Sequence, residues 1–321
     1  MSVSFPFDTD PGCRLSDRAS CVPGHTKPEG QRSGGQELHR TLRFFLTLTL
    51  LAWPSLAGAT IIGPTDDWQP LAAGAHQLGI SSKMVGRILA AGLELFCPGT
   101  QYNNGGVLNG WFLGSDVGGF YTNAHGVIEV GSNHQSNFIE PLAQCGVRTF
   151  KDLLSVGRNA TFYPLAIPDN RQQIELASFA PQSDSFTRDR ARLRLLRSIA
   201  GSQALALPDF DRIDLAVGKE VIMVSRSPET RMPMIQSCHI QSINLDNRIG
   251  PGQLFTDCDN NLGNSAGLYF VRDPNDTTML LPIALHEGAV CDEGDHKGWD
   301  LKRNTSVAIM LGRGFFQFAA R

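Results

Sequence analysis

Short apolar runs broken by glycine, proline and small polar residues recur along this chain, and few stretches keep the spacing of a long amphipathic helix. Trp111-Phe112-Leu113 ends at a glycine, Ala191, Leu193 and Leu195 alternate with arginines, and Gly218–Val224 and Leu268–Val271 are further strand-like runs. Side chains of a strand point to opposite faces in turn, so such runs predict strands with one or both faces buried. The pattern predicts an all-β protein.

One run is different. His39, Arg40 and Arg43 precede an apolar stretch, Phe44–Leu56, that ends in Ala57-Gly58-Ala59. A basic lead, an apolar run and a small-x-small site predict a secretory signal peptide cleaved after Ala59. The run falls short of the roughly 20 apolar residues that span a bilayer. Residues 1–38 ahead of it are polar, rich in glycine and proline, and without apolar period.

Composition sharpens this picture. Apolar residues make up 41% of the 321 and charged residues 18%, enough to bury a core and unlike a disordered chain. The net charge of −3 and the lack of any basic run argue against nucleic acid as a partner. Export makes disulfides the expected state of cysteines. Cys97, Cys145, Cys238, Cys258 and Cys291 follow the cleavage site; neighbourhood in the chain suggests Cys97–Cys145 and Cys238–Cys258, leaving Cys291 as a free thiol.

Two segments carry candidate chemistry. Thr122-Asn123-Ala124-His125-Gly126 surrounds a histidine with small residues, which leaves an imidazole edge accessible, and imidazole titrates where a general base must. Gly263-Asn264-Ser265-Ala266-Gly267 places a serine between glycines. A serine hydroxyl needs a base and nearby N–H donors to act as a nucleophile, and glycine lets the backbone turn those donors outward. The same Gly-x-Ser-x-Gly spacing fits the nucleophile elbow of α/β-hydrolases. That elbow needs an apolar strand before the serine and a helix after it. Here the leading stretch is polar and Leu268–Val271 after it is strand-like, so the elbow is disfavoured.

Thr122-Asn123-Ala124-His125 resembles the T-A-A-H segment of chymotrypsin-like serine proteases, and Gly263-Asn264-Ser265-Ala266-Gly267 resembles their G-[DN]-S-G-G. The bacterial glutamyl-endopeptidase branch is the nearest in kind: Ile62-Gly63-Pro64-Thr65-Asp66-Asp67, Val85-Gly86-Arg87-Ile88 and Asp257-Cys258-Asp259 all resemble its segments. The resemblance implies two packed antiparallel six-stranded barrels with a site between them, from residues 60–208 and 209–321, the sheets running from about 85 to 198 and 218 to 312. It implies a catalytic triad with His125 as base and Ser265 as nucleophile, and an oxyanion hole from the N–H groups of Gly263 and Ser265. Protein or peptide substrates, a monomer, a secreted or periplasmic location and no cofactor belong to the same expectation.

For the third triad member Asp189 and Asp214 compete. Asp214-Leu215-Ala216-Val217 looks like the family's D-[IL]-A-[LV], yet it abuts the strand expected from Gly218 and leaves no room for a crossing linker. Asp189 is followed by an alternating strand and then by Ile199–Pro208 as that linker, so Asp189 is preferred. Ile283-Ala284-Leu285-His286-Glu287-Gly288 resembles the G-I-H-x-G-G strand, which implies that His286, with Asn260, lines the pocket for an acidic side chain. Asp259 points instead to a basic one. Metal spacing among His286, Cys291 and His296 is poor, and a polar loop is expected there. Asn159, Asn275 and Asn304 head glycosylation sequons. A catalytically inactive homologue serving as a binding module is the alternative to an enzyme.

Overall fold

The structure, a computed structural model, describes residues 66–97, 107–115, 118–130, 136–138, 145–165, 173–175, 189–227, 230–244, 252–260, 263–291, 304–312 and 315–316. The expected signal peptide and its cleavage site lie outside these residues. Two antiparallel sheets carry the fold. In chain order the elements are β1 (Gln69–Pro70), α1 (Leu71–Gln77), α2 (Ser82–Ala91), β2 (Gly92–Phe96), β3 (Val107–Trp111), β4 (Gly119–Thr122), β5 (Ile128–Val130), β6 (Ser136–Phe138), β7 (Gly146–Thr149), α3 (Phe150–Val156), β8 (Tyr163–Pro164), β9 (Gln173–Glu175) and β10 (Arg190–Arg194). Then follow β11 (Glu220–Arg226), β12 (Pro233–Asn244), β13 (Gln253–Thr256), β14 (Leu268–Asp273), β15 (Asp276–Cys291) and β16 (Asn304–Met310).

The first sheet has the order β8-β7-β2-β3-β4-β10-β9, and the second β1-β12-β11-β14-β15-β16-β13 with β12 also paired to β13. That additional pairing closes a six-stranded barrel in the second half. The first sheet curls into a half-barrel; its edge strands β8 and β9, two and three residues long, have no pairing with each other among the described residues, but the end of β8 is bridged to the end of β10, where Leu165 pairs with Leu195 and the Leu196 N–H donates to the Pro164 carbonyl at 3.2 Å. Strands this short offer few ladder hydrogen bonds with which to close a sheet. Gln69 and Pro70 pair with Ile235 and Met234, so the segment leading the chain's described part joins the second sheet.

The first strand of the first sheet begins at Gly92, because the stretch expected to open that barrel near residue 85 is helical. Ser81 caps α2 by accepting from the Met84 N–H, and Met84, Ile88 and Ala91 recur on its buried face. Apolar contact is divided among three clusters. Leu93, Leu95, Leu108, Phe120 and Leu193 fill the half-barrel, while Val221, Met223, Ile240, Tyr269 and Ile283 fill the closed barrel. A third cluster runs between the sheets, where Trp111 and Tyr121 meet Ile222, Val224, Leu268 and Phe270, with α1 and α2 packed on the same cluster.

Two covalent and one non-covalent tie complete the frame. Cys97–Cys145 joins the end of β2 to the start of β7, with Cα atoms 4.2 Å apart, and Cys238–Cys258 joins β12 to the segment after β13, at 5.1 Å. Both pairings are those expected from chain neighbourhood. Arg190, at the head of β10, donates through Nη1 to the Phe315 carbonyl and lies 5.7 Å from the centre of that ring. Tyr121 of β4 packs against Phe315 and Phe316, so a segment following the closed barrel clasps the half-barrel.

Candidate active site

Strand β4 is wholly buried and runs into one turn of 3-10 helix, Ala124–Gly126, which carries His125. A side chain at position 126 would place its Cβ 1.6 Å from Leu108 Cδ1, so glycine lets this turn press onto β3. The imidazole of His125 lies outside the described atoms; its backbone position is fixed by its neighbours. Asn123, buried, donates Nδ2–H to the Asp189 carbonyl at 3.0 Å. Thr122 donates its hydroxyl to the Asn109 carbonyl at 2.7 Å.

The pairing of β4 with β10 matches Thr122 to Ala191, so Asp189, two residues ahead, falls level with the histidine turn. Asp189 is 7% exposed. Asp214 lies in the exposed connection between the sheets, where its carbonyl accepts from Lys219 Nζ. The structure therefore brings Asp189 to the histidine segment and holds Asp214 in a different place.

Ser265 sits on a turn bound into both sheets. The Asn109 backbone N–H donates to the Ser265 carbonyl at 3.0 Å, and Asn109 Nδ2 reaches the Ser265 and Gly263 carbonyls and the Ser225 hydroxyl at 2.8, 3.2 and 2.9 Å. The Arg226 N–H returns a bond to Asn109 Oδ1 at 2.9 Å. Trp111 Nε1–H donates to the Ala266 carbonyl at 2.7 Å. Asn109 thus touches the serine turn with its side chain and the histidine strand with its carbonyl.

Left-handed backbone shapes this turn. Gly263 has φ 91°, and a Cβ there would lie 2.5 Å from Arg226 Nη2. That guanidinium is held by the Val107 and Ser227 carbonyls, so it has little freedom to move aside. Ala266 takes φ 58°, a conformation that costs a side-chain-bearing residue about 1–2 kcal/mol. Its methyl is fully buried in the core between the sheets, its N–H donates to the His286 carbonyl at 2.7 Å, and the Gly267 N–H donates to the Asn264 carbonyl at 2.7 Å. No helix follows: the chain passes straight into β14, unlike the α/β-hydrolase elbow.

The two residues expected to line the pocket are in contact. His286 is fully buried on β15, with Nε2 2.7 Å from Asn260 Oδ1 and Nδ1 3.1 Å from the Tyr269 hydroxyl. Tyr269 Oη is in turn 3.3 Å from Thr256 Oγ1. Burial raises the Tyr269 phenol far above its ordinary range, which keeps it a neutral donor. With Asn260 Oδ1 as acceptor, the ring carries its proton on Nε2 and receives the tyrosine hydroxyl on Nδ1. Asn260, half-buried, is the outer end of this relay.

Asp259, the basis for expecting a basic side chain, is 2% exposed and accepts the Asp67 N–H at 2.9 Å. It anchors the segment before β1. The stretch expected as a polar loop is strand through Cys291, and 292–303, with His296, lie outside the described residues. No metal-ligating cluster occurs among the described residues.

Three features were not found in the sequence. Asn109 is one polar position inside an apolar strand. Glu94, fully buried on β2, is bonded by Arg148 at 3.1 Å and has Arg226 and Arg231 both at 3.8 Å, a buried ionic cluster beside Gly263. Glu287 occupies the bulge where β15 slips register against β16, is 4% exposed, and has no partner for either carboxyl oxygen. Burial foremost, and the Asp189 charge second, push its carboxyl well above the usual range. An aligned strand pattern names none of these roles.

A closed antiparallel barrel and a curled half-barrel, joined by a buried seam on which the serine turn sits, define a chymotrypsin-like fold. The chain is similar to a solved structure described as "Structure of Glu endopeptidase in complex with MPD", with a TM-score of 0.49 and 10% identity over 78% of this chain and 93% of that one. No family model and no curated protein sequence matches the chain. No helix among the described residues is long and apolar enough to cross a membrane.

Proposed function

We propose that this chain is an exported serine endopeptidase that cleaves peptide bonds through an acyl-enzyme on Ser265. One observation carries the reading: Thr122 and Asn123, immediately before the histidine turn, bond to Asn109 and Asp189, and Asn109 bonds to Ser265. Three segments far apart in sequence are thereby stitched together by buried hydrogen bonds.

Ser265 Oγ attacks the scissile carbonyl carbon as His125 takes its proton. The N–H groups of Gly263 and Ser265 receive the oxyanion, a contribution of about 3–4 kcal/mol for a donor of this kind. Collapse breaks the C–N bond, and His125 returns the proton to the leaving amine. Water, deprotonated by the same imidazole, then releases the acid and restores the serine. Asp189 holds the imidazole tautomer and steadies the imidazolium. Asn264, buried with Nδ2 on the Ser225 hydroxyl and the Arg226 carbonyl, leaves no carboxylate at this position to pair with a new amino terminus. Activation is therefore independent of inserting a free α-amine. An acidic residue on the acyl side of the cleaved bond is preferred if Asn260 yields the Nε2–H of His286 to the substrate carboxylate. Cleavage after Ala59 frees the enzyme into a secreted or periplasmic space, where both disulfides persist.

A fluorophosphonate probe tests the reading. The chain should be labelled at Ser265 and Ser265→Ala should not; an unlabelled, folded wild type would leave it a binding module. Peptides with Glu on the acyl side of an internal bond should then be cleaved there faster than those with Phe in its place, and cleavage after aromatic residues alone would remove the acidic preference.

A further inference from the structure

Glu94 and the arginines around it have no part in the proposed reaction, yet they stand beside the serine turn. Glu94 takes Arg148 Nη1 on Oε1 at 3.1 Å, with Arg231 Nη1 3.8 Å from the same oxygen and Arg226 Nε 3.8 Å from Oε2. Three guanidiniums thus share one carboxylate, the one acid paired with them among the described residues. Arg226 is turned inward, with Nη1 on the Ser227 carbonyl and Nη2 on the Val107 carbonyl. Burial foremost, opposed by Glu94 and aided by the Arg231 charge, lowers its guanidinium to about 10. Arg148 and Arg231 face outward in part, their side chains 18% and 27% exposed. A guanidinium carries five N–H donors in a planar fork, so each keeps donors beyond the one aimed at Glu94.

Strand pairing fixes where this cluster lies relative to the serine. Strand β14, which follows the serine turn, pairs with β15 on one side and with β11 on the other. His286 belongs to β15. Arg226 ends β11, and the match of Val224 with Leu268 carries it level with Ala266. Its Nη2 comes close enough to Gly263 that a Cβ there would lie 2.5 Å away. Gly263 and Ser265 therefore stand between His286 and the arginines. A peptide with its acyl side chain at His286 and its scissile carbonyl at those two N–H groups runs on toward the β11 side. At about 3.3 Å per residue, its first few leaving-group residues come within reach of long arginine side chains. Arg231 lies in the turn after β11, its N–H on the Ser227 carbonyl at 2.9 Å. Its backbone is left-handed, with φ 61°, and strain of this kind collects at ligand clamps.

We propose that Arg148 and Arg231 form a subsite for an acidic side chain on the leaving-group side of the cleaved bond. Glu94 holds the two forks from within, and Arg226 backs them against the serine turn. A substrate carboxylate supplies the negative charge that the cluster lacks, and its two oxygens match the planar fork. The subsite is distinct from the pocket at His286, so a substrate with acids on both sides of the bond satisfies both. It rests on the reading of the chain as an endopeptidase acting through Ser265.

Peptides with amidated ends and one fixed acyl residue test the subsite. Glu, Gln or Lys is placed in turn at each of the first three leaving-group positions, and mass spectrometry locates the cut. At one of these positions kcat/KM for Glu should exceed that for Gln about tenfold, with Lys worse than Gln. High salt should shrink that ratio, because both side chains are partly exposed. Arg231→Asn, which suits the left-handed backbone, should lower the Glu-to-Gln ratio severalfold, as should Arg148→Gln, and Arg231→Glu should turn the preference toward Lys. A ratio taken within one variant cancels any loss of folded enzyme. Cleavage without acidic preference at any of the three positions, or a ratio unchanged in both Arg231→Asn and Arg148→Gln, would overturn the subsite and leave the protease reading standing. A gain confined to peptides that end in a free carboxylate would overturn the side-chain assignment. If no peptide is cleaved and Ser265 takes no fluorophosphonate, the protease reading falls and the subsite falls with it.

Discussion

At the level of single residues, Asp189 and Asp214 offer the sharpest contrast, since the same side chain occupies a buried position beside Asn123 in one case and an exposed connection in the other. Asp189→Asn should lower kcat by roughly 10⁴-fold, because an amide presents the wrong hydrogen-bonding pattern to the imidazole. Asp214→Asn should leave turnover near wild type, and steady-state kinetics of the two variants with one peptide distinguishes them. His125, Ser265 and Asp189 were proposed from local patterns: small residues around an imidazole, glycines around a serine, an alternating strand after an acid. Asn109 and Glu287 were not. The meaning of Asn109 depends on Ser265, more than a hundred positions away, and that of Glu287 on the burial and strand bulge the fold gives it, and no local period encodes either.

Elements rather than residues decide whether those side chains meet. Strand β3 is the hinge of the arrangement: Asn109 and Trp111 both donate to the serine turn, while the Asn109 carbonyl receives Thr122 from β4. Asn109→Leu strips partners from the Ser265 and Gly263 carbonyls and the Arg226 N–H, all in a buried setting. Each lost bond of this kind costs about 1–3 kcal/mol, so urea denaturation should show a loss of about 3 kcal/mol or more. Thr122→Val removes one donor and should lose about 1 kcal/mol on the same measure. Strand identity was readable wherever alternation or an apolar run was clean, as for β10, β11 and β14. Helix α2 was not expected, since its buried residues at 84, 88 and 91 are few and its small residues carry no strong period. Closure of the second sheet also escaped local reading, because it rests on β12 pairing with two strands at once.

For the whole molecule, stability is spread over two barrel interiors and the seam between them, with one disulfide in each half. Cys97–Cys145 closes a loop of 48 residues and Cys238–Cys258 one of 20. Loop-closure entropy assigns them about 4 and about 3 kcal/mol. Replacing the first pair with alanines should therefore cost more in denaturant midpoint than replacing the second, provided the unfolding slope is unchanged.

The clasp of Arg190 on Phe315 has a bearing on biogenesis. The histidine and the aspartate leave the ribosome with the half-barrel, whereas the segment that grips β10 emerges only after β16. At about 5–20 residues per second that interval is on the order of ten seconds. Throughout it the newly made strand at Arg190 lacks its grip, so the half-barrel is fastened only when synthesis is nearly done.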